Sequence, residues 1–304
     1  MATRPSAPPR RRPFLGLGVS ALAISTSAPL VFATGAPAGA IAFWRLAFMA
    51  LLVLGALLAL EGPRALLVPR LEAFLLLGLG AVLGAHFGFW IPSVKETSLT
   101  ASVVIVTSHP VLVAAASHIY LRERASPAAV AGILAALTGV ALIFGSDLAK
   151  PNLVGDVLAA MGAVTLGLYL LVGRLKRREG LPVLVYTTYV YGGAALTLLA
   201  AALLSGAPLG PPAGSDLALI LAMALVPGML GHTLYNWTLR YLSATVVSAT
   251  HVAEPIGASL LALWLFGTQP PPLTALGGAI TLGGVLLVIA AEGRGGKPLR
   301  APPP

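Results

Sequence analysis

The spacing of its charges constrains this chain more than any other feature. Ten apolar stretches, each close to 20 residues long, run between short clusters of Arg, Pro and Gly. A helix of about 20 apolar residues crosses about 30 Å of hydrocarbon. Only 10% of the 304 residues are charged and the mean hydropathy is +0.91, whereas soluble domains carry about 25% charged residues. Too few charges remain to solvate a soluble surface. The expectation is an all-α integral membrane protein with ten transmembrane helices near 14–33, 39–60, 72–93, 97–121, 127–145, 154–174, 183–204, 216–239, 243–266 and 272–291.

The basic residues set an orientation. With both tails inside, the inner segments hold sixteen Lys and Arg residues, among them Arg10, Arg11, Arg12, Arg174, Lys176, Arg177, Arg178 and Arg240. The outer loops hold two, Lys95 and Lys150, while Arg45 lies within a span. This asymmetry follows the positive-inside rule. It predicts cytoplasmic termini in an inner-membrane, multi-pass protein. The net charge of +9 is thereby used by topology, and no basic patch with interleaved aromatics suggests nucleic acid. The arginine-led apolar N-terminus resembles a signal peptide, but further spans follow, so it reads as a retained first helix. Absence of cysteine excludes disulfides and thiolate metal sites.

An internal repeat is visible at an offset of 145 residues. Lys95 meets Arg240, Ser98 meets Ser243, Thr100 meets Thr245, Pro110 meets Pro255, Pro127 meets Pro272, Gly132 meets Gly277 and Gly139 meets Gly284. The earlier helices of each half match only in hydropathy. Five spans per half is odd, so the second half enters the membrane from the opposite side. The expected layout is a tail at 1–13, two inverted five-helix repeats at 14–145 and 154–291 joined by a linker at 146–153, and a tail at 292–304. Inverted repeats place a substrate site near the midplane and permit alternating access. Small residues four apart (Gly80 and Gly84, Gly84 and Gly88, Ala135 and Gly139) suggest close helix contacts.

The segment from Thr100-Ala-Ser-Val-Val through Pro110 to Leu121-Arg-Glu-Arg-Ala-Ser126 resembles the fourth helix and exit loop of EamA-type transporters, of the drug/metabolite transporter superfamily. Ser243-Ala-Thr-Val-Val through Glu254-Pro255 to Leu265-Phe266-Gly267 is similar to its second copy, and Gly155-Asp156 and Arg45 are similar to family positions. The resemblance covers nearly the whole chain. It implies the ten-helix fold and export of amino acids or related metabolites. The acidic residue that commonly follows the fourth and ninth helices is present as Glu123 and replaced by Thr268 at its counterpart. The resemblance therefore carries no essential role to that second position.

Ionisable residues inside spans are functional candidates by default. Here they are Arg45, His86, His109, His118, His232, His251 and Glu254. Glu254 is mid-span and precedes Pro255, which frees a backbone carbonyl one turn earlier; it is the candidate proton carrier and a candidate substrate ligand. The alternative is a neutral Glu bonded to a neighbouring helix. His109-Pro110 is its counterpart. Ser98, Ser102 and His109 share one helical face, as do Ser243, Thr250 and Glu254; the hydroxyls either line a cavity or bond their own backbone. His86 with Trp90, and His232 with Asn236, are four apart and are expected to line the substrate site, Trp90 alternatively anchoring at the interface. Arg45 either snorkels or holds a substrate carboxylate through two hydrogen bonds. His118 reads as interfacial.

His251 and Glu254 have an i, i+3 spacing open to a metal, but no H-E-x-x-H pair, phosphate loop or G-x-S-x-G elbow accompanies them. The expected function is secondary transport of a small molecule with no cofactor. A passive channel or structural subunit is the alternative, and an intramembrane enzyme ranks behind both. The sequence leaves oligomeric state open.

Overall fold

A computed structural model describes residues 11–97, 99–121, 123, 125–144, 152–257 and 272–295. Ser98, Arg122, Arg124, Lys150, most of the expected linker, the end of the span at 243–266, Thr268 and the outer parts of both tails lie outside the described residues.

Every regular element among the described residues is helical. The first span is α1 (Arg11–Ile24) and α2 (Ser27–Ala33). Then follow α3 (Ala38–Leu60), α4 (Arg70–Glu96), α5 (Leu99–Val106), α6 (His109–Ala116) and α7 (Pro127–Phe144). The rest comprises α8 (Leu153–Arg178), α9 (Val183–Ser205), α10 (Gly214–Met223), α11 (Leu234–Thr238), α12 (Ala244–His251) and α13 (Pro272–Gly295). A π-helical stretch, Ala224–Thr233, joins α10 to α11. Among the described residues seven helices are long and apolar enough to cross a membrane: Arg11–Ala33, Ala38–Leu60, Arg70–Glu96, Ala101–Leu121, Leu153–Arg178, Val183–Ser205 and Gly214–Thr238. Pro127–Leu142 and Ala275–Ala291 are shorter apolar helices.

Local chemistry sets the helix ends. Asn152 caps α8 by accepting from the amides of Val154 and Gly155. Pro127 and Pro272 open α7 and α13, where a missing N–H does no harm. Gly206 ends α9 in the left-handed region at φ 67°. Along α3, Leu46, Met49, Val53 and Leu57 are buried at helical spacing while Leu51, Leu52, Leu58 and Leu60 are exposed. Both faces are apolar because one meets protein and the other meets lipid.

Helix boundaries keep a constant interval. α3 and α9 are both 23 residues long and begin and end 145 residues apart, as do α5 and α12 with 8 residues each. The partner of α7 is α13. A Cβ on Gly132 would stand 2.7 Å from the Gly284 carbonyl, and one on Gly139 would stand 2.5 Å from the Gly277 carbonyl. Between them the Thr281 hydroxyl donates to the Ala136 carbonyl at 3.2 Å. Likewise Gly84 lets α4 approach α9, a Cβ there lying 2.9 Å from the Ala194 carbonyl. Only glycine permits such approaches.

Candidate functional site

Breaks in the helices build the site. α5 ends at Val106 and α6 starts at His109; α12 ends at His251 and the chain turns at Val252 and Ala253 before Glu254. The two interruptions fall 145 residues apart and share a hydrogen-bond pattern. Ser108 N–H donates to the Ile105 carbonyl as Ala253 N–H donates to Thr250, and Val111 donates to Ser108 as Ile256 donates to Ala253. Pro110 and Pro255, which cannot continue the ladder, sit just past each break. A third break, at Ser25 and Thr26, separates α1 from α2. Breaks at membrane depth demand other partners for the freed carbonyls, and hydroxyls supply them. Ser25 donates to Ala21, Thr26 to Ala23, Thr107 to Val103, Ser108 to Ile105 and Thr250 to Val247, all at 2.7–2.8 Å. Ser243 accepts from the Val246 amide at the start of α12, and Ser102 is paired with Ser93 at 2.7 Å.

Around these breaks lies a cavity of about 30 Å³ lined by Ile24, Ser27, His86, Phe87, Trp90, Val106, Leu166, His232, His251 and Glu254. Four histidines form a continuous cluster. His109 and His251 meet edge-to-face at 5.2 Å, His251 and His232 lie 6.5 Å apart, and His232 meets Phe87 at 5.4 Å. His86 stacks parallel to Trp90 and packs on Phe87. Tyr235 stacks on His251 at 4.2 Å. The Nδ1–H of His86 donates to the Gly162 carbonyl, and that of His109 to the Val106 carbonyl, both at 2.9 Å. A carbonyl can only accept, so each of these Nδ1 atoms carries a proton. The rings pack face and edge rather than aiming their nitrogens at one point. Among the described residues no group of three or more His, Asp or Glu is arranged to hold a metal ion.

Arg45 is fully buried. Its Nη1 donates to Ser27 Oγ at 2.8 Å and its guanidinium lies 4.6 Å over the Phe87 ring. Nε and Nη2 are buried and have no partner. These two atoms form the side-on edge of the guanidinium, the fork that accepts a carboxylate through two parallel hydrogen bonds. Trp90 Nε1, His109 Nε2 and Glu254 Oε1 are likewise buried without partners. Arg45 and Glu254 interact electrostatically, but among the described residues no ion pair joins them. An unmet buried polar group costs about 1–3 kcal/mol, and more when charged. Of these five atoms, those of Trp90 and Glu254 belong to cavity-lining residues and those of Arg45 and His109 lie behind them; Ser20, Ser117, Glu123, Tyr186 and Tyr235 each hold one more such atom.

The structure thus gathers His86, Trp90, His232 and Glu254 at the cavity wall, with Arg45 behind Ser27 and Phe87 and His109 behind His251. Asn236 is placed elsewhere. Its Oδ1 accepts from Tyr169 at 2.8 Å and its Nδ2 donates to Tyr191 at 3.3 Å. His118 is exposed at the end of its span. Ser27, Phe87 and His251 line the cavity without having been singled out as ligands. His251 carried a signal, its i, i+3 relation to Glu254; Ser27 enters from α2 and carried none, and Phe87, beside His86 on α4, is an apolar ring that does not stand out in an apolar helix.

Polar ties between helices lie toward both ends of the bundle. At one, Lys95 donates to the Thr34 carbonyl at 2.6 Å, Thr97 to Asp156 at 2.9 Å and Asn152 to the Glu96 carbonyl at 2.7 Å. At the other, Arg174 pairs with Glu123 at 3.0 Å and Lys176 with Glu72 at 3.0 Å. The cavity has room for about two water molecules.

Comparison with known proteins places this arrangement. The model of the EamA-like transporter family matches residues 14–145 and 153–290. A probable terminal-alkyne amino-acid exporter of Streptantibioticus cattleyicolor is 30% identical over 194 residues, 62% of this chain and 63% of that relative, so the match spans under two thirds of its length. An uncharacterized transporter of Bacillus subtilis, YyaM, is 27% identical over 81% of this chain and 82% of its own. A crystal structure matches with a TM-score of 0.77 at 24% identity, covering 94% of this chain and 100% of the other; at that identity it speaks for the fold alone.

Proposed function

Because the chain belongs to the EamA-like transporter family, we propose that it is a secondary carrier that exports an amino acid or related small metabolite by alternating access. The observation that carries this reading is the unpartnered side-on edge of Arg45, buried near an unpartnered Glu254 oxygen. A zwitterionic amino acid meets both needs: its carboxylate suits the Arg45 fork and its ammonium suits Glu254. His86, Trp90, His109 and His232 surround its side chain, and Asn236 acts on the site through Tyr191. The exporter among the relatives supports this substrate class.

The proposed architecture is ten spans in two inverted repeats, 14–145 and 154–291, joined by a linker at 146–153 and flanked by tails. Constant helix intervals support it, as does the α7–α13 contact. Shifting the pair Gly132–Gly284 by one repeat gives Gly277–Gly139, which is the second contact observed. A twofold axis between the helices requires that closure. The sixteen-to-two division of basic residues supports cytoplasmic termini in an inner membrane. The ties toward both ends must release in turn, because two waters' worth of space admits no amino acid. No catalytic step or cofactor enters the mechanism, in which Glu254 carries the coupling proton.

Counterflow in proteoliposomes tests the reading. Liposomes loaded with unlabelled amino acids should take up the labelled form of one class saturably, with empty liposomes silent. Flux that never saturates and shows no counterflow would instead indicate a pore. Glu254→Gln is expected to abolish proton-driven flux while exchange persists at weakened affinity, since an amide oxygen still accepts from the ammonium but carries no charge; full coupled transport by that variant would remove Glu254 from the proton path.

A further inference from the structure

Away from the central cavity, a second recess of about 280 Å³ lies between α9 and α11, lined by Val183, Met229, Leu230, Thr233, Leu234 and Trp237. Five of the six lining side chains are apolar along their whole exposed length or nearly so. The sixth, Thr233, has its hydroxyl engaged with Tyr191 OH at 3.0 Å. The groove is therefore mostly apolar, the Trp237 indole N–H being its remaining polar group, and Met229, Leu230, Thr233, Leu234 and Trp237 run along one helical face. An unbranched apolar chain fits that shape.

The mouth of the groove is cationic. Three residues beyond Trp237 is Arg240, and three before Val183 is Gly180, where a Cβ would lie 4.0 Å from Arg240 Nη2. Arg240 is half-buried, stands 5.9 Å from the Tyr241 ring, and takes part in none of the ion pairs among the described residues. Its counterpart at the 145-residue offset, Lys95, is fully engaged with the Phe32 and Thr34 carbonyls. The same position is therefore a structural tie in one half and an open guanidinium in the other. Arg12 adds a second exposed cation. It lies one turn before Gly16, whose missing Cβ would stand 3.0 Å from the Trp237 ring.

From this juxtaposition of an apolar groove and two guanidinium groups at its end, we infer that the recess between α9 and α11 holds an acyl chain of an anionic phospholipid, with the lipid phosphate on Arg240 and Arg12. Guanidinium groups bind phosphate through paired hydrogen bonds, and basic residues at the membrane surface select anionic lipid. A zwitterionic lipid brings its own cation to the same place and gains less. The site does not depend on what the central cavity carries.

Trp237 lines the groove, so its fluorescence reports occupancy. The full-length protein is reconstituted with brominated phosphatidylglycerol or brominated phosphatidylcholine in an unbrominated phosphatidylcholine background. Quenching specific to Trp237 is taken as the difference between wild type and Trp237→Phe. It is expected to saturate at a mole fraction of brominated phosphatidylglycerol about fivefold or more below that needed for brominated phosphatidylcholine. Arg240→Gln and Arg12→Gln should each erode the preference, and Arg240→Lys should keep part of it; Arg12→Gln, at an exposed position, serves if Arg240→Gln does not fold. Equal quenching by the two lipids would mean that bulk bilayer fills the recess, and a preference that survives both Gln variants would overturn the headgroup assignment.

Discussion

Two regions of this bundle are made from the same materials and do opposite things. In the α7–α13 pair, small and hydroxyl residues close the distance between helices, and Thr281 is fully engaged, donating to Ala136 and Gly277. At the broken helices, similar residues surround a cavity where Arg45, Trp90, His109 and Glu254 keep buried atoms without partners. The first region has completed its contacts within the protein; the second has not. Polar groups in an apolar helix therefore signal function by what remains unmet, not by being polar.

The comparison is broken or sharpened by substitutions on either side. The largest expected effect is at Arg45. Arg45→Lys keeps the charge but loses the fork, and removing one charge-assisted hydrogen bond is worth about 1.5–3 kcal/mol, so initial flux should fall ~10–100-fold. The unfolding temperature in detergent should stay unchanged. A parallel loss of stability would make Arg45 glue like Thr281. Next comes Gly139→Ala, which drives a methyl group into the Gly277 carbonyl. Overpacking of this kind costs about 1–3 kcal/mol; thermal unfolding should shift down by several degrees, with flux per folded molecule preserved. Reduced flux at unchanged stability would show that this pair moves during transport. The smallest effect is expected for Thr281→Val, about 0.6 kcal/mol, the average for a hydrogen bond between membrane helices, read as a slight drop in the same unfolding curve.

Much of this was legible in the sequence. Hydropathy and charge spacing act locally, so the helical membrane class, the near-positions of most spans and the 145-residue offset could be read directly. Pro110 and Pro255 marked two of the breaks. The break at Ser25 and Thr26 was missed, although Pro29 lies just past it as Pro110 and Pro255 lie past theirs. The π-helical stretch Ala224–Thr233 was missed as well, although Pro227, which cannot donate to the ordinary helical ladder, lies inside it. At the site, helical spacing brought His86 to Trp90 correctly on one face, as within-helix periodicity can. It also linked His232 with Asn236, yet Asn236 turns to Tyr169 and Tyr191, because which face meets the cavity is decided between helices. Whether Arg45 reached the surface or the interior depended on Ser27 and Phe87, residues from two other helices.

The central claim is that the open edge of Arg45 receives the substrate's carboxylate, and competition tests it most directly. Once counterflow has identified a transported amino acid, its uptake is measured against rising concentrations of the unlabelled acid and of the corresponding carboxamide. The account predicts that the amide, which keeps the ammonium and side chain but lacks the carboxylate, competes at least about tenfold more weakly, as expected for loss of a charge-assisted fork. Equal competition by acid and amide would contradict it and leave the buried edge of Arg45 without a ligand.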